Sequence, residues 1–242
     1  MADYIIYWIL GIVMIPGIIL SIWAQTKVSS SFSNWKGVPS QKGRTANEIA
    51  REILDNNGLA NIALEHIDGH LTDHYDPKNE KIALSDEVYG STSIAAIGVA
   101  CHEVGHALQD AAGYPPAKIR QVLVPFINFG SKALWPLVIF GFIFNIFGSV
   151  TGVVGTIFIA AGLGFFALSL IFSLITLPTE LDASKRALKI LKEENYLVDE
   201  ENAGAKHVLW AAALTYIADL VMSILTVLRF ILTILILRGN RD

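Results

Sequence analysis

His102-Glu103-Val104-Gly105-His106 sets two imidazoles four positions apart, with a carboxylate beside the first. On a helix, residues four apart share a face with Cβ atoms about 5–6 Å apart, so both rings can reach one metal ion. Imidazole nitrogens hold Zn²⁺ at about 2.0–2.1 Å. Glu103, one position from the first histidine, is placed to reach a metal-activated water rather than the metal itself. The pattern predicts zinc-dependent peptide hydrolysis with Glu103 as base. The plainer reading, an amphipathic helix with two surface histidines, is disfavoured by context. The motif follows a predicted hairpin, lies on a predicted helix and has an available third ligand.

A catalytic zinc takes three protein ligands and keeps one position open. Within Pro178-Thr179-Glu180-Leu181-Asp182-Ala183-Ser184, Glu180 is the best candidate and Asp182 competes with it. On a helix the two point roughly opposite ways. Topology supports this segment: two apolar spans separate it from His106, and an even number of crossings returns the chain to the starting side.

The elements that must position these residues are readable in outline. Thr45-Ala46-Asn47-Glu48 is a capping box opening a helix, and Asn57-Gly58 ends it. Residues 61–66, 70–75 and 81–85 read as strands, the last two joined as a hairpin through Asp76-Pro77-Lys78-Asn79. The motif helix is expected from Ser91-Thr92 to Ala112-Gly113, before Pro115-Pro116. On it, Gly98 and Gly105 share a side where another backbone can approach closely. Residues 29–42 read as a flexible linker. His66, His70 and His74 are spaced by four, but Asp68-Gly69 breaks the register, which favours surface roles over a second metal site.

Hydrophobic residues make up 53% of the 242 and charged residues only 17%, short of the roughly 25% charge of a soluble domain. The deficit is concentrated in long uncharged runs. Residues 4–24 suffice for a helix across ~30 Å of hydrocarbon. With no Lys or Arg before the run and no small-x-small site after it, an uncleaved anchor fits better than a signal peptide. Residues 133–179 are uncharged and long enough for two spans, turning near Asn145 to Gly152. Residues 208–237 form a fourth apolar stretch, interrupted by Asp219 and Arg229. Ten positions apart on a helix is ~15 Å, too far for direct pairing. Nearly all of the 18 Lys and Arg fall on one side of this four-span arrangement, against Arg238 and Arg241 on the other. That bias predicts polar parts facing the cytoplasm and both termini outside. A net charge of −4 gives no basis for nucleic-acid binding. The single cysteine, Cys101, excludes an intramolecular disulfide and a cysteine-rich zinc cluster. Beside the first histidine it could serve as a reactive thiol, but a small apolar packing role fits better.

The residues also carry a resemblance. Asp73-His74-Tyr75-Asp76-Pro77, Leu84-Ser85-Asp86-Glu87-Val88-Tyr89 and Ala100-Cys101-His102-Glu103-Val104-Gly105-His106-Ala107 resemble the bacterial YugP-like family of neutral membrane zinc metallopeptidases. Leu177 to Ala187, with Glu180, is similar to that family's second signature. The resemblance favours Glu180 over Asp182 and implies zinc on His102, His106 and Glu180. More distantly the pattern is similar to HtpX-type and CAAX-prenyl membrane proteases. There the glutamate stands in E-x-x-x-D, its aspartate bracing a ligand histidine. Ser184 occupies that aspartate's place here, leaving Asp182 or Asp76 as substitutes. In that wider group the strand before the zinc helix takes substrate as an added strand, which by position is residues 81–85 or their hairpin partner.

The implied fold is membrane α+β, about four transmembrane helices with a small zincin-like cytoplasmic domain. Its parts are an anchor (residues 1–24), the zincin-like domain (25–132), a two-helix hairpin (133–179), a cytoplasmic helix with the third ligand (180–207) and a C-terminal span (208–242). The expected activity is zinc endopeptidase action on protein or peptide substrates near the bilayer surface of a bacterial cell membrane. His207, Tyr216, Arg186 and His74 are candidates for stabilising the oxyanion. The rival class is a zinc-binding scaffold or transporter without peptidase activity; a structural zinc has no need of Glu103. A lipid-buried motif is disfavoured because Ser91 to Ala100 is short and flanked by Glu87 and Glu103.

Overall fold

The computed structural model describes residues 11–146 and 149–239. Six helices are described by their full bounds: α1 (Ile15–Lys36), α2 (Ala46–Asn56), α3 (Ile94–Ala111), α4 (Pro115–Ile146), α5 (Ser149–Glu193) and α6 (Asp199–Gly239). Three strands, β1 (Ala63–Ile67), β2 (His74–Asp76) and β3 (Lys81–Ser85), make one sheet in the order β1-β3-β2. The chain divides into two compact units, one of Ile22–Lys118 with Leu177–Tyr216, the other of Met1–Ser21, Ile119–Thr176 and Ile217–Asp242.

In the first unit the capping box forms as its residues require. Thr45 Oγ1 accepts from the Glu48 amide, and the Glu48 carboxylate accepts from the Thr45 amide at 2.9 Å. The amphipathic stripe of α2 then buries Ile49, Ile53 and Leu54 completely, together with Ile82 and Leu84 of β3 and Ile94, Ile97 and Val104 of α3. Each such side chain contributes about 1.5–3 kcal/mol relative to exposure. Gly58, at φ +73°, takes the left-handed conformation that ends α2.

β2 and β3 form the expected antiparallel hairpin, with Tyr75 opposite Ile82. Asp76 holds the turn by accepting from the amides of Lys78 and Asn79. β1 joins the other edge of β3 in parallel, Leu64 opposite Ile82. β3 is therefore the central strand, and the expectation that it could accept a substrate strand is corrected. Both its edges are taken, and among the described residues the free edges belong to β1 and β2. Asp73 ends the hairpin by accepting from the Ser85 amide at 2.8 Å and the Ser85 hydroxyl at 2.9 Å. Burial pushes the Asp73 carboxyl up, against the pull of those two hydrogen bonds.

The expected linker at residues 29–42 is mostly helix, since α1 runs unbroken to Lys36. Phe32, 2% exposed, packs with Ala95 and Val208, and Trp35 lies where a side chain on Gly204 would collide with its ring. Those anchors hold helical a serine-rich stretch with little preference of its own.

In the other unit the helices touch through small and aromatic residues. A Cβ on Gly17 would meet the Met222 sulfur at 2.5 Å, and one on Gly130 would meet the Phe165 ring at 2.4 Å. Phe166 and Phe230 have ring centroids 5.8 Å apart. The expectation of four spans is not carried by the described residues. Two helical stretches, Ala160–Glu193 and Asp199–Leu232, are long and apolar enough to cross a membrane. Only 11% and 17% of their most apolar windows is buried, unlike the core helix of a soluble domain. α4 combines its apolar C-terminal half with Lys118, Arg120 and Lys132, and the expected 4–24 span falls partly outside the described residues. The expected turn at Asn145 to Gly152 likewise includes residues outside them.

Candidate metal centre

The site is built from two helices of one unit. Ser93 caps α3, its hydroxyl accepting from the Ala96 amide, and the helix then carries His102, Glu103 and His106 in one continuous run. α5 brings Glu180 opposite. Close approach is possible because Gly105 lacks a side chain: a Cβ there would lie 2.4 Å from the Ala183 carbonyl oxygen. Gly98 faces Ala205 of α6 at ordinary contact distance. Replacing Gly105 by Ala is expected to force α3 and α5 apart, because the obstruction is backbone and cannot swing aside. The small gain in helix propensity does not offset this, and a net loss of roughly 1–3 kcal/mol is expected. Thermal unfolding in detergent checks it, with weakened zinc retention as the accompanying sign.

One ligand atom from each of His102, His106 and Glu180 falls within 4.8 Å of the others. Glu180 Oε2 is 3.1 Å from His102 Nε2 and 3.4 Å from His106 Nε2, and the rings stand edge to face with centroids 4.7 Å apart. Glu180 is 2% exposed. A buried carboxylate facing two imidazole nitrogens forms a nitrogen and oxygen donor set that suits Zn²⁺. Glu103 is also buried, at 8% exposure. No hydrogen bond or ion pair engages it among the described residues, which leaves its carboxylate available to a water.

The rings are held from behind. Ser184 Oγ shares a hydrogen bond with His102 Nδ1 at 3.1 Å, so the residue standing in the aspartate's place does the bracing itself. Asp76 is occupied in its own turn. Asp182 touches neither histidine; it accepts from Gln109 Nε2 at 2.9 Å and from Arg186 Nε at 2.6 Å. Gln109 Oε1 lies 3.1 Å from His106 Nδ1, and Gln109 Nε2 donates to the Thr179 carbonyl at 2.7 Å. Sequence reasoning missed Gln109. The available signal was its place three residues after His106, on the same face of the helix.

Tyr75 of β2 donates to Asp110 at 3.1 Å, tying the hairpin to the end of α3. Burial and the neighbouring Asp110 carboxylate both push the Tyr75 hydroxyl well above its usual range. Burial pushes the Cys101 thiol up in the same way, so it acts as an apolar packing residue rather than a reactive thiolate. Arg186 is committed to Asp182 and lies over the Tyr114 ring, 5.7 Å from its centroid. His66, His70 and His74 go to three different partners, Asp86, Glu87 and the Thr72 carbonyl, and form no cluster.

A sequence model of the family described as "putative neutral zinc metallopeptidase" matches residues 10–235. The "Putative membrane protease YugP" of Bacillus subtilis (strain 168) is 42% identical over 216 residues, covering 89% of this chain and 92% of the relative. No solved structure matches the chain.

Proposed function

This chain belongs to the family described as "putative neutral zinc metallopeptidase", and from that premise we propose that it is a membrane-anchored zinc endopeptidase. His102, His106 and Glu180 would hold the zinc, and Glu103 would be the base. The observation that carries this reading is the convergence of three ligand atoms within 4.8 Å, one helical position from a buried, unengaged glutamate.

Bound zinc supplies Lewis acidity, polarising a scissile carbonyl and acidifying a water. Glu103 accepts a proton from the attacking water and delivers it to the leaving amine nitrogen. Ser184 and Gln109 keep the two imidazoles from rotating, so their Nε2 atoms stay aimed at one point. Burial of Glu180 excludes bulk water from the carboxylate and strengthens its hold on a cation.

The substrate class follows from placement along the chain. Glu180 comes directly after the uncharged residues 149–179 of the same helix, so the proposed site acts on membrane-protein segments or tails close to the bilayer. Substrate would be held extended along the free edge of β2, the strand tied to α3 through Tyr75 and Asp110. On a four-span arrangement, the Lys and Arg bias would place the catalytic unit facing the cytoplasm of a bacterial cell.

The test is metal content and proteolysis of the detergent-purified protein. One zinc per chain and cleavage of casein are expected. Wild-type protein that takes up no zinc would sink the peptidase reading and favour a scaffold or transporter.

A further inference from the structure

We propose that Trp23, Leu181 and Trp210, each with a lysine one helical turn away, form a belt that seats this unit in an anionic lipid headgroup layer. The candidate metal centre then lies at headgroup depth. This rests on the membrane-anchored reading above for the presence of a bilayer, but the belt is argued from the unit's own surface.

In the unit that carries the site, the exposed large apolar side chains among the described residues are Ile22, Trp23, Val38, Tyr89, Leu181 and Trp210. Ile22, Trp23, Leu181 and Trp210 fall on α1, α5 and α6. Trp23 is 47% exposed and Trp210 56%, which is costly for indole rings that face only water. Each of these helices also sets an exposed lysine four residues from its exposed apolar side chain: Lys27 after Trp23, Lys185 after Leu181, Lys206 before Trp210. Residues four apart share a helix face. Phe32 of α1 packs with Val208 of α6, and Trp35 lies against Gly204, so these two helices run antiparallel. Lys27 and Lys206 therefore stand on the same side of their aromatic partners. From the Phe32–Val208 contact, Trp210 lies ~3 Å along α6, with Lys27 ~8 Å and Trp23 ~14 Å along α1 in the same direction. Lys27 and Trp210 thus share a level, with Trp23 at its apolar edge. Indole rings favour the headgroup level, and lysine stems lie along apolar surface while their ammonium groups reach outward.

The charges of the belt select its partner. Lys27, Lys185 and Lys206 form no ion pair among the described residues, whereas Lys36 and Lys81 are paired with Glu87 and Glu65. α1 has no acidic residue. Of the α5 carboxylates beside Leu181, Glu180 is buried and Asp182 is held by Arg186 and Gln109. Three unpaired ammonium groups next to exposed apolar side chains match phosphate headgroups of net negative charge. Leu181 directly follows Glu180, so the outward face of α5 passes from apolar to cationic at the metal centre itself. A scissile bond reaching that centre would lie in the headgroup layer.

The test uses full-length protein reconstituted into vesicles of phosphatidylcholine, alone or mixed equally with phosphatidylglycerol. Nitroxide labels on Leu181→Cys, Trp210→Cys and Tyr89→Cys report depth by their relative exposure to oxygen and to a water-soluble nickel chelate. Cys101 is buried and takes no label. Labels at positions 181 and 210 should read as headgroup level, and the label at position 89 as water. Lipid preference is read as the fraction of spin-labelled phosphatidylglycerol immobilised by the protein, against spin-labelled phosphatidylcholine. Lys27→Gln, Lys185→Gln and Lys206→Gln together should abolish the preference for phosphatidylglycerol, each contributing up to about 5-fold, and the three Lys→Arg changes should keep it. Labels at 181 and 210 as water-exposed as the one at 89, or a label at 181 in the hydrocarbon core, would overturn the assigned depth. An unchanged preference in the triple Gln variant would overturn the anionic partner. If circular dichroism shows that variant unfolded, the three single Gln variants decide by the same readout. Protein that does not float with either vesicle would sink the membrane reading and the belt with it. Absence of zinc would count against the peptidase reading, while the labels would still decide the belt.

Discussion

Glu103→Ala is expected to keep its zinc and lose its cleavage. The side chain is one helical position from His102, buried, and free of competing hydrogen bonds among the described residues. Removing it takes away the proposed acceptor of the water's proton but none of the three converging ligand atoms. General-base catalysis is worth about 10²–10⁴-fold, and kcat/KM should fall by that much with little change in KM. Glu103→Gln should behave alike, because it preserves shape and hydrogen bonding without basicity. Zinc content, casein cleavage and a melting curve on the same preparation separate the outcomes. Parallel loss of zinc and activity would make Glu103 a ligand or a structural support, and the assignment of the base would fail.

Glu180→Ala should do the reverse and release the metal. Its carboxylate is the proposed donor from α5, and without it two histidines on one helix remain. The loss should exceed the about 10- to 100-fold that removing an outer partner costs. Stability supplies a second reading, because a ligand that binds only the folded state stabilises it in proportion to RT ln(1 + [L]/Kd). Chelator should lower the melting temperature of wild type and leave that of Glu180→Ala unmoved. Full zinc in Glu180→Ala would show that the third ligand lies elsewhere, with Asp182 the first to test. That aspartate is turned toward Gln109 and Arg186.

What the sequence disclosed and what it hid divide along physical lines. Interactions closed within a few residues were legible: the Thr45–Glu48 box, the Asp76 turn and the four-residue spacing of His102 and His106. Glu180 was reached by counting two expected spans between it and His106, which the described residues do not carry, and because its surrounding signature resembles a known one. What stayed hidden depends on partners far along the chain. Phe32 and Trp35 hold residues 29–36 helical against Ala95, Val208 and Gly204, so local serine content misled. The parallel pairing of β1 with β3 leaves no turn signature, and only the coordinates show β3 to be central. Gln109 reads as one more polar helix residue until Thr179 and Asp182 are brought beside it.

Glu180 stands 78 positions after His102, with the whole apolar stretch between them. During synthesis the histidine pair and Glu103 leave the ribosome while their third partner is still untranslated. Until the intervening helices have been made and α5 has docked at Gly105, the chain would hold the proposed base and two proposed ligands but no complete centre. On the proposed reading, a chain stalled before Glu180, or one whose apolar middle fails to insert, would be born inert. Completion of the centre and completion of the chain's biogenesis would then be the same event.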